Sequence, residues 1–156
     1  MNLTDFEGRE GDGNWRFKRA ETKDNRNNLK TNFSIGDDIT INFHVSARNL
    51  NPASLCCTVD IRTEDGILIS HMMDKDSAYA ISNNNNDHKI SVKINDVRFY
   101  PGNYYISLWA SSKDSHTTFD YVRDCLKFKI TDGGNLTQRR LPREAGLLFL
   151  TPEWSE

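Results

Sequence analysis

The stretch VRFYPGNYYISLWAS, residues 97–111, constrains the fold of this chain more than any other. From Asn103 onward its side chains alternate, with Tyr104, Ile106, Leu108 and Ala110 on one face and Tyr105, Ser107, Trp109 and Ser111 on the other. That period is a strand's, with the aliphatic face buried. Just before it, Tyr100-Pro101-Gly102-Asn103 sets proline where φ is fixed and glycine where φ would be positive. This predicts a type II turn opening directly into the strand. A strand that hides aliphatics and displays Tyr and Trp predicts a packed sheet whose outer surface binds something flat.

A chain of 156 residues is one domain with a real core and no room for a second. Its formal charge of −2 lacks the basic surplus of a phosphate-backbone binder, so no nucleic-acid partner is expected. No apolar run approaches the roughly 20 residues of a membrane span, and the N-terminus lacks the charged-then-apolar order of a signal peptide. Cys56 and Cys57 are adjacent and Cys125 is distant, which forms neither a disulfide framework nor a CxxC pattern. A reduced, cytoplasmic setting follows. The triplets at Asn2, Asn32 and Asn135 match the glycosylation acceptor, a pattern that an Asn-rich chain produces by chance.

Residues 1–13 are polar and glycine-rich and read as a flexible leader, leaving residues 14–156 as a single domain. The run Gly8-Arg9-Glu10-Gly11-Asp12-Gly13 has no strand before it and no helix after it, so it lacks the context of a nucleotide loop. Residues 14–21 predict a first strand with Trp15 and Phe17 inward, and residues 22–32 a solvated loop. Ile39, Ile41, Phe43 and Val45 then alternate with Thr40, Asn42, His44 and Ser46. Next, Cys57, Val59 and Ile61 alternate with Thr58, Asp60 and Arg62, and Asp65-Gly66 turns the chain back into residues 67–73. A two-residue loop would put Ile67 and Ile69 on the face of Arg62, so either a bulge intervenes or that outer face is partly covered. After a polar run at residues 82–87, Ile90, Val92 and Ile94 point inward. Beyond the 103–111 strand come a polar loop, a helical turn at residues 119–124, and a strand bearing Leu126, Phe128 and Ile130. Residues 146–150 can form a last strand. Short alternating strands with almost no helical period specify an all-β antiparallel sandwich.

Chemistry is sparse. His44, His71, His88 and His116 sit on separate elements without HExxH or another ligand spacing, so no metal site is expected. Asp74-Lys75-Asp76 lacks the glycine and distal glutamate of a calcium loop. Neither GxSxG nor GxxxxGK[ST] is present. No catalytic residue and no cofactor are predicted.

Read together, Phe33-x-x-Gly36-Asp37-x-Ile39-x-Ile41-x-Phe43, Asp65-Gly66, Tyr100-Pro101-Gly102-Asn103-Tyr104-x-Ile106-x-Leu108, Phe119-Asp120-Tyr121-Val122 and Gly146-x-Leu148-x-Leu150-x-Pro152-x-Trp154 resemble the Wzt C-terminal domain family. The resemblance covers about Trp15 to Trp154 and lies in the order of the motifs and the closing segment. That family is the carbohydrate-binding domain on the ATPase subunit of ABC transporters that export O-antigen polysaccharides in lipopolysaccharide biosynthesis. No ATPase motif is present, so the chain looks like that domain alone, excised or naturally separate. The resemblance implies an immunoglobulin-like β-sandwich and a dimer. It also implies recognition of the finished or capped end of an undecaprenyl-linked glycan, at the cytoplasmic face of the bacterial inner membrane, with the transporter's ATPase and membrane subunits as partners.

The residues fit such a role on their own terms. Sugar rings present apolar C–H faces edged with hydroxyls, so a binding sheet needs aromatics for stacking and short polar or charged side chains for hydrogen bonds. Tyr105, Ser107 and Trp109 supply both, and at about 3.3 Å of rise per residue the two aromatics lie roughly 13 Å apart, a span of a few sugar units. Asn42, His44, Asp60 and Arg62 join the expected carbohydrate site if their strands are neighbours. The same surface would serve a protein-interaction or assembly sandwich, and a small carbohydrate-active enzyme is a third reading. The apolar run 146–150 follows a polar connector, residues 132–145, whose reach of about 45–50 Å lets the strand 146–151 lie on its own sheet or a partner's. The family resemblance implies the exchanged arrangement in a homodimer.

Overall fold

The computed structural model of the chain describes residues 1–49, 54–82, 85–133, 136, 137 and 139–156. Within these, the alternating segments form β1 (Trp15–Lys23), β2 (Asn32–Ser34), β3 (Ile39–Ala47), β4 (Cys56–Thr63), β5 (Leu68–Met73), β6 (Asp87–Ile94), β7 (Gly102–Ser111) and β8 (Thr118–Thr131). Single 3-10 turns cover Asp74–Ser77 and Arg143–Ala145. The strands make a three-stranded sheet, β1-β3-β6, and a five-stranded sheet, β2-β8-β7-β4-β5. Every pairing is antiparallel except that of the short β2, which joins the edge of β8 in parallel where the chain crosses between sheets. This is the expected immunoglobulin-like sandwich. Tyr104 adds a tyrosine-corner contact, its buried hydroxyl donating to the Tyr100 carbonyl just upstream.

The core lies where the alternation places it. Trp15, Phe17, Ile39, Ile41, Phe43, Val45, Cys57, Val59, Ile61, Tyr104, Ile106, Leu108, Phe128 and Ile130 are all buried. Ile90, Val92 and Ile94 face inward but are half-buried, because β6 is the open edge of the smaller sheet. Leu126, also half-buried, adjoins an irregularity in β8: Ile106 pairs with Leu126 while Leu108 pairs with Val122, and Asp124 between them has φ 51°.

Several local expectations give way to tertiary pairing. Residues 119–124 are not a helical turn; they are the first half of β8, held by pairing with β7. Tyr100-Pro101-Gly102-Asn103 is not a type II turn either, since Gly102 lacks a positive φ and already pairs with Ile130 as the first residue of β7. Thr22 is no part of a solvated loop; it is buried near the end of β1. The hairpin at Asp65-Gly66 does turn, with Gly66 at φ 84°, and the β4–β5 register shifts between Ile61 and Arg62. Both alternatives weighed for that hairpin are thus realised, because Thr58 and Asp60 on the outer face are buried as well. Residues 146–150 do not form a strand; they make one bridge, Phe99 to Leu148, with hydrogen bonds from Tyr100 N to Leu147 O at 3.0 Å and from Phe149 N to Arg98 O at 2.7 Å. Asn83 and Asn84 of the asparagine run, and Gly134 and Asn135 of the connector, lie outside the described residues.

Residues 1–13, read as a leader, pack against the sandwich. Leu3 is fully buried in the core. Glu10 and Tyr121 exchange backbone hydrogen bonds of 3.2 and 2.8 Å, and Gly13 N donates to Phe119 O at 2.8 Å, so this strap extends the edge of β8 beyond the reach of β2. Gly11 permits the approach, since a Cβ there would lie 2.5 Å from the Phe119 carbonyl oxygen. The strap is anchored by a carboxylate that hydropathy alone would not place inside. Asp120 is fully buried and accepts from Arg9 Nε at 3.0 Å, from Arg9 Nη2, from Arg16 Nη1 at 3.0 Å and from Phe17 N at 2.8 Å.

Two stability measurements check this architecture. In urea unfolding, Phe43→Ala is expected to cost about 3–5 kcal/mol, the range for emptying a buried aromatic position; a loss below about 1 kcal/mol would mean that the face of β3 is reversed. Asp120→Ala leaves the buried Arg9 guanidinium without its partner and is expected to cost about 3–5 kcal/mol. If Asp120→Ala unfolds like the parent protein, the strap is not held by this carboxylate.

Candidate functional site

The outer face of the five-stranded sheet is a grid set by strand register. One row runs Met73, Thr58, Trp109, Tyr121 across β5, β4, β7 and β8. The next runs His71, Asp60, Ser107, with the β8 bulge at Asp124 opposite, and the third runs Leu68, Arg62, Tyr105, Lys127. Asp60 and Arg62 therefore do stand beside Ser107 and Tyr105. Asn42 and His44 do not: they lie on β3, in the other sheet, and face away from the opposite side of the molecule. The expected set of seven residues is thus split between two surfaces.

Charged and polar groups on this face are linked. Asp60 receives His71 Nδ1 at 2.6 Å on one oxygen and Arg62 Nη2 at 3.2 Å on the other. Arg62 Nη1 donates to Ser107 Oγ at 3.2 Å, the Asp124 backbone N–H donates to the same oxygen at 2.9 Å, and Ser107 Oγ points back to Asp124 Oδ1 at 3.4 Å. Ser107 is only 1% exposed, so it positions its neighbours rather than meeting a ligand. The groups left open to solvent are the half-exposed His71 ring, the Asp124 carboxylate and the edges of Arg62.

Trp109 is half-buried; its indole Nε1–H donates to Thr118 Oγ1 at 3.0 Å, and its ring centroid lies 6.4 Å from that of His71. The hydrogen bond fixes one edge of the indole, which holds the ring in place. Tyr105 sits two rungs along, with Lys127 Nζ 5.6 Å from its centroid. Around Trp109 the surface forms an open cleft of about 400 Å³ lined by Glu10, Asp60, Arg62, Leu68, His71, Trp109, Thr118 and Tyr121. Such a cleft offers an aromatic plane, a cationic fork, an imidazole and an exposed carboxylate within one shallow surface, the set that a polyhydroxylated ring can use.

Five of the cleft residues, Glu10, Leu68, His71, Thr118 and Tyr121, escaped the reading of the sequence. Glu10 belongs to the supposed leader, Tyr121 to the supposed helical turn, and His71 to a hairpin of undecided register. Only Tyr121 left a signal: Phe119, Asp120, Tyr121 and Val122 precede a clear strand. No three metal-ligating side chains converge among the described residues. The cysteines are free, and burial pushes the Cys125 and Cys56 thiols up to about 12, with Asp74 beside Cys56 adding to the shift. They remain protonated and poorly nucleophilic at neutral pH.

Fold and face define an immunoglobulin-type sandwich that displays an ordered aromatic and polar sheet surface. The family model of the Wzt C-terminal domain matches residues 7–143. The chain belongs to that family. The crystal structure of the C-terminal domain of wzt superposes with a TM-score of 0.79 at 13% identity, covering 95% of this chain and 87% of that one. The alkylpurine DNA glycosylase AlkC of Pseudomonas fluorescens, solved bound to DNA containing an abasic site analog, matches with a TM-score of 0.49 at 9% identity over 76% of this chain and 30% of its own. A β-glucosidase from Listeria innocua in complex with glucose matches with a TM-score of 0.38 at 10% identity over 72% and 16%. In both, the likeness is confined to a minor part of a larger protein. No curated protein matches the chain. No helix among the described residues is long and apolar enough to cross a membrane.

If Trp109 supplies the stacking plane, removing it takes away about 80 Å² of apolar contact, worth on the order of 2 kcal/mol at roughly 25 cal/mol per Å². Trp109→Ala is therefore expected to weaken glycan binding by well over about tenfold, read by calorimetric titration, while the fold survives. Unchanged affinity in the folded variant would move the site elsewhere.

Proposed function

We propose that this chain is a non-catalytic carbohydrate-binding domain that recognises an O-antigen polysaccharide, at its finished or capped end, for export by an ABC transporter. The observation that carries this reading is the cleft itself. A Trp109 indole held by Thr118 lies beside the linked His71, Asp60 and Arg62, on an open sheet of a Wzt-family sandwich. An indole ring stacks on the C–H face of a sugar, while Arg62 and His71 donate to hydroxyls and Glu10 accepts from them. The open, shallow shape suits a few units of an extended chain better than an enclosed small molecule. Asp60 already holds two cationic or imidazole donors, which makes it a scaffold for its neighbours rather than a free acid or base. The partners in this reading are the ATPase and membrane subunits of the transporter, at the cytoplasmic face of the inner membrane.

Glycan arrays, followed by titration with polysaccharide from the source strain, test the proposal. Saturable binding without turnover supports it. Binding only to a protein partner would favour an assembly role, and release of sugar would favour an enzyme.

An assembly role has one observation of its own. Leu147, Leu148, Leu150 and Trp154 are 42, 51, 73 and 91% exposed in a tail that, among the described residues, is tied to its own chain by one bridge and by the Phe149 ring against Tyr100. We infer that two copies form a homodimer in which these tails are exchanged, burying their apolar side chains on the partner. Two sites presented together would hold a repetitive glycan through effective concentration, so each can be weak. Truncation before Gly146 is expected to convert the dimer to a monomer by light scattering. A truncated chain that stays dimeric, or a full-length chain that is monomeric at high concentration, would overturn the exchange.

A further inference from the structure

One lateral side of the sandwich is sealed and the other is open. On the sealed side residues 1–3 run along β1, with Leu3 N donating to Lys18 O at 2.9 Å and Ala20 N to Met1 O at 3.0 Å, and the strap at residues 10–13 runs along β8. On the other side the two sheets end at β5 and β6, and among the described residues no strand or bridge pairs with their outer edges. Between those edges the core comes to the surface. Phe43, Val59, Met72, Ile90 and Val92 line a slot of about 320 Å³ whose walls are β5 and β6. Met72, Ile90 and Val92 face inward yet are only half-buried, because no further strand closes this side.

Asp74 and Tyr79 line both this slot and a second depression of about 380 Å³, where Leu55, Ala80 and Ile81 stand beside Lys75 and Lys113. Asp74 is the one carboxylate in either wall, and it is turned to its own neighbours: it accepts from Cys56 Sγ at 2.8 Å, Cys57 N at 3.2 Å and Lys75 N at 2.7 Å. Asp114, next to Lys113, is turned into its own loop by Ser112 Oγ at 2.5 Å and His116 N at 3.0 Å. The Lys75 ammonium lies 3.5 Å from the neutral Ser115 hydroxyl, and neither it nor Lys113 forms an ion pair among the described residues. Two uncompensated cations therefore stand at one end of a continuous apolar track, with the 57% exposed Tyr79 ring between its halves.

This arrangement restricts the occupant. An added strand is disfavoured, since β6 carries Lys89 and Lys93 along its edge and the β5 register shifts beside Leu68. A flat bilayer surface would leave a recess between two sheets unfilled. An inorganic anion would use the two lysines and none of the apolar wall. What matches both parts is one apolar chain ending in an anionic head, which buries its methylenes on the slot and places its charge at the ammonium groups.

We propose that the open side of the sandwich binds a single-chain anionic amphiphile, its apolar chain in the slot between β5 and β6 and across Tyr79, its head group at Lys75 and Lys113. The site is separate from the cleft around Trp109 and does not depend on the function proposed for that cleft.

The test is calorimetric titration of the full chain with dodecyl phosphate below its micelle concentration, with octyl phosphate, inorganic phosphate and dodecyl maltoside as comparisons. Saturable binding of dodecyl phosphate is expected, tighter than that of octyl phosphate by about tenfold or more because the longer chain fills more of the slot. Lys75→Gln combined with Lys113→Gln is expected to weaken it by about tenfold, and Tyr79→Ala by about fivefold or more. All three side chains are exposed, so the melting temperature is expected to stay that of the parent. Trp109→Ala is expected to leave the binding intact. The proposal is overturned by absence of saturable binding, by equal binding of dodecyl maltoside or octyl phosphate, by inorganic phosphate competing as well as the amphiphile, or by either lysine or tyrosine variant binding as the parent does. It is equally overturned if phosphatidylglycerol vesicles bind in preference to the monomeric amphiphile. Binding that emerges only after truncation before Gly146 would assign the slot to the chain's own tail and overturn it as well.

Discussion

The buried carboxylate of Asp120 is the interaction on which the candidate cleft depends. A carboxylate without solvent is costly unless charge and hydrogen bonds compensate it, and here two guanidinium groups and a backbone N–H do so. Meeting that requirement draws in three separate pieces of chain. Arg9 brings the N-terminal strap, Arg16 and Phe17 bring β1 from the smaller sheet, and Asp120 itself stands on β8 of the larger one. The seam between the sheets is closed there by charge rather than by apolar packing. Once Arg9 is fixed, residues 10–13 have no freedom to leave the edge of β8, and Glu10 is carried to the rim of the cleft beside Tyr121.

A sandwich gives its two outer faces to different neighbours, and this one gives them different chemistries. Around Trp109 the apolar rings are present, and the charges are tied to each other through Asp60 and Ser107, so the surface is pre-arranged. Across the molecule the β1-β3-β6 face has no outward Trp, Tyr or Phe in its central rows, and it carries cations paired with carboxylates, Arg19 and Lys23 with Glu21 and Lys93 with Asp38.

Two features of the larger sheet explain why Ser107, outward by alternation, is nevertheless buried. Alternation places it outward correctly. The bulge in β8, with Asp124 at φ 51°, then folds backbone over it and takes its hydroxyl as an internal partner. An irregularity in one strand thus removed a residue from the surface of another, a consequence that no inspection of β7 by itself would reveal.

The sequence by itself determined which side of each strand faces the core. Ile39, Ile41, Phe43, Ile106 and Leu108 lie inside for the reason their spacing states, because side-chain direction alternates whatever the strand pairs with. It determined the all-β class on the same ground, and the order of motifs was enough to indicate the family. Only the tertiary structure decided which strand lies beside which. Asn42 and His44 alternate outward as cleanly as Asp60 and Arg62, but β3 pairs with β1 and β6 while β4 pairs with β7, so equal patterns end on opposite surfaces. Tertiary pairing also decided that Gly102 begins a strand, that residues 119–124 extend one, and that the strap at residues 10–13 belongs to the sheet. The physical reason is common to all three. Period and turn propensity are local properties of a segment, whereas hydrogen-bond partners and the compensation of a buried charge are supplied by other segments, from Tyr121 opposite Trp109 to Arg9 on Asp120 across 111 positions.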